Sequence, residues 1–416
     1  MTAAKPFTIP KGLVYEAFLA VKANAGSAGV DKETIADFER DLKGNLYRVW
    51  NRMSSGSYFP PPVRAVAIPK KTGGERILGV PTVADRVAQT VVKAVLEPLL
   101  EPIFLPDSYG YRPEKSALDA IAVTRERCWR YDWVLEFDIR GLFDNISHEL
   151  LLRALEKHTD SEWVRLYVRR WLMAPLQLAD GTLVERTKGT PQGGVVSPIL
   201  ANLFLHYTFD AWMARTFPGV PWCRYADDGL IHCKTETQAL AVKAALAERF
   251  AQCGLEMHPD KTQIVYCKDQ SRKGQYPTTK FDFLGYCFRP RVVKNRKRNT
   301  LFVSFTPAVS ASALKTMRVK TRRLNYRNRT ELSLDDIARL HNPVLRGWMA
   351  YYGRFCPSAM ASVLEHFDKT LVAWAMRKFK RLKGHKIRAC RFLEEIAKRQ
   401  PNLFVHWRKR MATGLA

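Results

Sequence analysis

Two adjacent carboxylates, Asp227 and Asp228, stand inside the otherwise apolar stretch RYADDGLIHC at 224–233. Neighbouring carboxylates repel, and burying ionised ones is expensive unless a positive charge compensates. Divalent metal ions resolve that conflict, since Mg2+ prefers hard oxygen ligands, usually one or two carboxylates together with substrate phosphates. Two such ions about 4 Å apart stabilise the attacking and leaving oxygens of an in-line phosphoryl transfer. A site of this kind needs a further acid from a neighbouring strand. Asp138, the last residue of VLEFD, is the candidate, because a strand-end acid faces the crevice where ligands bind. Asp144 competes, but it lies beyond the next turn and can simply cap the helix that follows. A D-D pair alone is common in surface turns; three acids on two apolar strand patterns carry much more weight.

The elements that must position these acids follow from the surrounding pattern. Val134, Leu135 and Phe137 predict a buried strand ending at Asp138, with a helix starting near Ser147. The acid pair sits at the tip of a tight hairpin. KGTPQGGVVSPILANLF reads as a glycine-rich turn feeding a helix, with Leu200, Leu203 and Tyr207 on one face. Upstream, SYFPPPVRAVAIPKKTGGERILGVP predicts a hairpin around Gly73-Gly74, then a helix from Val83 that Pro98 should limit. TQALAVKAALAERFAQCG reads as a helix, TQIVYC and FDFLGYCF as strands, and 60–290 as a sheet domain with alternating strands and helices. Beyond 306 the chain is helical and basic, with NPVLRGWMAYYGRF and SVLEHFDKTLVAWAMRKFKRLKG in its clearest helices.

Composition narrows the function classes. The 416 residues carry a net charge of +27, and it is unevenly spread. Residues 1–290 hold 38 basic and 33 acidic side chains, whereas 291–416 hold 29 and 7, a net of +22. Such polarisation points to a polyanionic partner, nucleic acid ahead of an anionic membrane surface. The apolar run VVKAVLEPLLEPIFL is cut by Lys93, Glu97 and Glu101, which argues against a membrane span, and MTAAKPFTIPKG lacks the apolar core of a secretory signal. Eight scattered cysteines without C-x-x-C spacing argue against structural zinc and a disulfide framework.

With YADD between apolar strands, TPQGG before a helix and FDIRGLFDNI upstream, the sequence resembles the reverse transcriptases, specifically the group II intron-encoded reverse transcriptase/maturase type. NAGSAGVD, IPKKTGGERILGVPTVADR, SYGYRPEKSALDAI, GLEMHPDKT, FDFLGYCF, NPVLRGWMAYYGRF and LFVHW extend the likeness, in order, over nearly the whole chain. The resemblance implies an α+β right-hand polymerase, with fingers and a palm built on an antiparallel core sheet, followed by an all-helical basic thumb/maturase domain. The corresponding divisions are an N-terminal extension (1–60), fingers and palm (61–288), a basic linker (289–306) and the thumb/maturase domain (307–416).

It also implies roles. Asp138, Asp227 and Asp228 would be the catalytic acids and, with the backbone carbonyl of Ile139, the ligands of two Mg2+ ions, Mn2+ serving as a substitute. Phe143 would lie under the incoming sugar and reject a 2′-OH; its plain alternative is a core phenylalanine. Gln192 and Gly193 would line the nucleotide pocket, where glycine permits close backbone approach. Lys70 and Arg76 would clamp the triphosphate, and Lys261 would stand near the leaving pyrophosphate, although each of these charges taken alone reads as a solvated surface group. Arg112 serves template or structure, and Trp348 and Tyr352, four apart, read as helix packing rather than base stacking. The run from Arg377 to Lys386 is the better RNA-binding candidate.

Two departures from the family pattern, Leu142 before Phe143 and Glu114-Lys115 in place of Gly-Arg, leave the acids untouched. No H-N-H endonuclease follows, so mobility would need a pre-existing primer. The implied partners are an RNA template, structured intron RNA, a DNA primer or target and dNTPs, with no membrane, a cytoplasmic or nucleoid-associated location, and the oligomeric state left open. The implied function is RNA-directed DNA synthesis with assistance to intron splicing and retrohoming. The alternatives are a domesticated enzyme working with a non-intron RNA in defence or repair, and a non-catalytic RNA-binding splicing factor.

Overall fold

The Gly73-Gly74 turn does what the sequence predicts: in the computed structural model Val63–Pro69 (β1) and Glu75–Val80 (β2) pair antiparallel, from Arg64 opposite Val80 to Pro69 opposite Glu75. The structure describes residues 5–69, 73–295 and 297–407. They divide into two units, the first comprising residues up to 120 and 133–264, the second 121–132 and everything from 265 onward.

In the first unit, Trp133–Asp138 (β3) is buried at five of its six positions, as suits a central strand covered on both faces. Leu176–Gln177 (β4) runs parallel to β1, and Leu183–Val184 (β5) pairs with β4, completing a small sheet in the order β2-β1-β4-β5. Trp222–Tyr225 (β6) and Asp228–Cys233 (β7) form the expected hairpin, and β7 pairs antiparallel with β3. On the other side of β3 lies the start of Gln263–Tyr266 (β8), where Gln263 donates to Glu136.

The helix Val83–Leu100 begins where predicted, with the Thr82 side chain accepting from the Asp85 amide. It is not limited by Pro98, which lies inside its last turn. Leu96 and Leu100 on either side are fully buried, and that burial offsets the single backbone bond a proline removes. After the helix Ser197–Leu205, a π-helical turn at His206–Asp210 shifts the register before the chain continues as Ala211–Thr216.

The second unit corrects two expectations. FDFLGYCF is not one strand but two, Phe281–Phe283 (β9) and the start of Tyr286–Asn295 (β10), hinged at Leu284-Gly285. Both hinge residues have positive φ, 51° and 79°, the conformation of a two-residue hairpin turn. The stretch 289–306 is not a linker either. β10 pairs along its length with Thr300–Val309 (β11), Arg289 opposite Thr306 and Val292 opposite Val303. The β-branched and aromatic residues that build these strands are interleaved with the charge run that suggested a linker.

Among the described residues four α-helices follow, Ala311–Arg323, Leu334–Tyr352, Ala361–Lys378 and Lys386–Arg399; the last three contribute to a core containing Leu345, Phe367, Leu371, Trp374 and Phe404, and the first packs through Ala313 and Met317 in a second cluster with Met360 and Val363. Trp348 and Tyr352 join this packing, as expected. Among the described residues, no helix is long and apolar enough to cross a membrane.

Candidate active site

The pairing of β3 with β7 sets Asp138 directly opposite Asp228, and the pairing of β6 with β7 sets Tyr225 opposite Asp228. Ala226 and Asp227 are therefore the two-residue turn, and the three acids share one end of the sheet. Ala226 takes φ +56° at the first turn position, where glycine is the usual occupant. What holds it there is Arg224, fully buried together with Asp210. Its guanidinium makes a two-pronged bond to Asp210, 2.8 and 2.6 Å. It also donates to Asn202 Oδ1, to Ser108 Oγ and to the carbonyl of Ala226 in the turn itself. Asn202 in turn donates to the Gly110 carbonyl at 2.7 Å. A side chain at position 110 would come within 2.4 Å of the Ala226 amide nitrogen, so glycine there permits the loop to lie on the turn. Neither Arg224 nor Asp210 is among the residues that the sequence alone singles out for a role. The available signal was a lone arginine in an apolar strand, which must find a buried acid.

The electrostatics follow from crowding. Desolvation raises the pKa of Asp227, and the Asp138 charge adds to it, against opposing effects from a backbone hydrogen bond, Lys261 and Arg224. Asp228 is pushed up to about 7, first by desolvation and then by the Asp227 and Asp138 carboxylates. Its side chain is nevertheless open to water, so the crowding comes from protein beneath the crevice, and solvent screens part of it.

Lys261, from the turn Pro259–Lys261, places its ammonium on Asp138 Oδ2, and that bond raises the lysine's own pKa. The preceding segment docks alongside: the His258 amide donates to the Asp138 carbonyl and the Arg140 amide to the Glu256 carbonyl. In an antiparallel bridge of this kind between Ile139 and Met257, the N–H and C=O of Ile139 itself face the opposite side, that of β7. Among the described residues, no group of three or more His, Cys, Asp or Glu side chains has ready metal-ligating spacing. At Asp138 a lysine cation neutralises the carboxylate instead. A set of mutually repelling carboxylate oxygens that has recruited an ammonium fits a hard divalent cation by its chemistry.

The expected nucleotide-pocket residues fall around the same loop. Phe143 is half-buried in the short helix Leu142–Asn145, and its carbonyl accepts from the Thr190 amide at 2.7 Å. The Gln192 side chain reaches Asp144 Oδ2, and its carbonyl accepts from Gly79 of β2. Gly193 does allow a close backbone approach, but to Gly79, whose carbonyl would lie 2.5 Å from any β-carbon at 193. The TPQGG loop is thereby seated on the strand that also carries the exposed Arg76. Lys70 lies outside the described residues.

Asp144 does not cap the next helix; Ser147 does, accepting from the Leu150 amide. Arg112 is structural: it pairs with Glu101 and donates to the Leu105 and Ser108 carbonyls.

A two-acid hairpin facing a third acid across an antiparallel sheet, with helices behind, defines the palm of a right-hand nucleic-acid polymerase. The chain belongs to the reverse transcriptases of group II intron type: residues 68–288 match the reverse transcriptase (RNA-dependent DNA polymerase) family, and residues 314–392 match the group II intron maturase-specific domain. It is 28% identical to Protein YkfC of Escherichia coli over 66% of this chain and 78% of that protein. It is 32% identical to the group II intron-encoded protein LtrA of Lactococcus lactis over 47% of this chain, but only 32% of LtrA. An uncharacterized 91 kDa protein in the cob intron of Schizosaccharomyces pombe is 32% identical over 49% of this chain and 25% of its own length.

Proposed function

We propose that this protein is an RNA-directed DNA polymerase that extends a DNA primer on an RNA template, binds structured intron RNA, and assists its splicing and retrohoming. The observation that carries the polymerase reading is the register placing Asp138 opposite Asp228, with Asp227 in the adjoining turn. Asp138, Asp227 and Asp228, with the carbonyl of Ile139, would hold two Mg2+ ions, or Mn2+ in their place. Bound there, the ions would supply charge stabilisation to the attacking and leaving oxygens.

The chain's own residues do the rest. Phe143 presents a ring to the sugar and excludes a 2′-OH, while Gln192 and Gly193 shape the pocket wall. Arg76 and Lys70 clamp the triphosphate, the guanidinium being suited to a bidentate phosphate contact. Lys261, whose ammonium lies on Asp138 Oδ2, would supply a proton to the departing pyrophosphate. The maturase-specific domain supports the intron-RNA half of this reading.

The test is Mg2+-dependent primer extension on an RNA template. Asp227→Asn should abolish synthesis while RNA affinity, measured by filter binding, is retained. Full synthesis by that variant would sink the site assignment.

A further inference from the structure

Gln89, on the helix Val83–Leu100, is a polar side chain only 2% exposed that reaches out of its own helix to the TPQGG loop. Its Oε1 accepts from the Val195 amide at 2.7 Å and from the Val196 amide at 3.3 Å. Those amides stand where the loop enters the helix Ser197–Leu205, whose N-cap residue, Val196, supplies no side-chain cap. A helix start leaves backbone donors without internal partners, so buried ones need an acceptor from elsewhere. Glycine at 194 lets the loop come this close, because a β-carbon there would lie 3.3 Å from Gln89 Oε1 and 2.6 Å from Ser197 Oγ. The orientation of the Gln89 amide is set from its other side. Its Nε2 donates to Asp85 Oδ2 at 2.9 Å, while Asp85 Oδ1 accepts from the Tyr58 hydroxyl at 2.8 Å and from Trp171 Nε1 at 2.7 Å. An ionised carboxylate only accepts and a backbone amide only donates, so one orientation of the glutamine satisfies both neighbours. A flipped amide would set its donor against two donors and its acceptor against an acceptor, and burial keeps water from repairing the mismatch.

We infer that Gln89 is a positioning residue for nucleotide binding: oriented by Asp85, it fixes the loop that carries Gln192 and Gly193, an inference that rests on the polymerase reading above. The loop is seated at its start where the Thr190 amide donates to the Phe143 carbonyl, and at its middle where the Gln192 carbonyl accepts from Gly79. Gln89 supplies the anchor at its end. The three seats together hold the backbone around Gln192 and Gly193 from both sides. The bonds of Gln89 run to Asp85, Val195 and Val196, not to the three acids, so its loss bears on nucleotide binding rather than on the chemical step.

The experiment reverses the polarity of one bond. Asp85→Asn keeps an oxygen for Tyr58 and Trp171 but turns a donor toward Gln89, which forces the glutamine amide to flip away from its loop partners. Adding Gln89→Glu restores a donor–acceptor pair between the two positions and keeps an oxygen on the Val195 and Val196 amides. Gln89→Met removes the anchor outright. Steady-state primer extension with varied dNTP is run at about pH 8, where Asp85 is ionised, since burial lifts its carboxyl only to about 6. Asp85→Asn and Gln89→Met should each raise the KM for dNTP about tenfold, the scale of one buried hydrogen bond left unmade. Their kcat and primer–template affinity should stay near wild type. The double variant Asp85→Asn/Gln89→Glu should return KM most of the way to the wild-type value. Should Gln89→Met fail to fold, Asp85→Asn against the double variant reads the same rescue. The inference is overturned if the single variants lower Tm but keep the wild-type KM, if the double variant is no better than Asp85→Asn, or if the loss falls on primer–template affinity instead. A wild-type protein that does not polymerise at all would overturn the function itself, which is a separate result.

Discussion

Arg224 links the acid turn to the body of the first unit through Asp210, Asn202, Ser108 and the Ala226 carbonyl. Removing one partner of a fully buried ion pair leaves an uncompensated charge and costs about 3–5 kcal/mol. Asp210→Asn should therefore lower unfolding stability by that order, read from urea denaturation midpoints, and should reduce synthesis more than nucleotide affinity, because the turn loses its tether. Stability within about 0.5 kcal/mol of wild type, the range of ordinary surface substitutions, would show that the pair is dispensable. The three acids were legible because their chemistry is encoded in residue type and strand ends. Arg224 and Asp210 were not, because the pairing depends on a π-helical turn that no periodicity announces. Gly193 was expected to line a nucleotide pocket; the close approach it makes is to the Gly79 backbone, a long-range contact invisible in either stretch.

At the scale of elements, Asp85 on the helix Val83–Leu100 accepts from Tyr58, Trp171 and Gln89, joining the chain before β1, that helix and the helix Glu162–Met173. Its pKa is raised to about 6 by desolvation, against the lowering effect of those three donors. The folded state therefore binds a proton more tightly than the unfolded state between pH 4 and 6, about the interval from its ordinary value to its shifted one. Stability from this group falls as pH rises through that window, by on the order of 2–3 kcal/mol. Asp85→Asn removes the titration. The stability gap between variant and wild type, from denaturation at pH 4.5 and pH 7, should thus change across the window; a constant gap would show that Asp85 does not titrate there.

Other element-scale features were only half readable. The strand pattern of β10 and β11 was present but masked by interleaved arginines and lysines, and the turn at Leu284 needed a positive φ at a residue that rarely adopts one. Pro98 misled because tertiary burial outweighed local propensity.

At the scale of the molecule, the excess charge of residues 291–416 sorts into two uses. Within the run from Arg377 to Lys386, Lys378 donates to the Thr330 and Leu332 carbonyls, Arg377 reaches the Arg327 carbonyl, and Arg381 stacks on Phe392. These three tie loops and helices together. Lys380, Lys383 and Lys386 are exposed instead, beside Ile387, which is 70% exposed. RNA binding through phosphate neutralisation falls steeply with salt, each contact adding about 0.7–0.9 to the slope of log affinity against log salt. Replacing Lys380, Lys383 and Lys386 together by glutamine should weaken structured-RNA binding and flatten that slope by about 2–3, measured by fluorescence anisotropy between 50 and 200 mM salt, roughly the range over which such contacts are lost. Tm should not change. Lys378→Gln should do the reverse, lowering Tm while leaving the slope near wild type, because its charge is spent on protein carbonyls. If the triple variant keeps the wild-type slope, the phosphate-binding surface lies elsewhere on this unit, and the cluster is a solvated helix face.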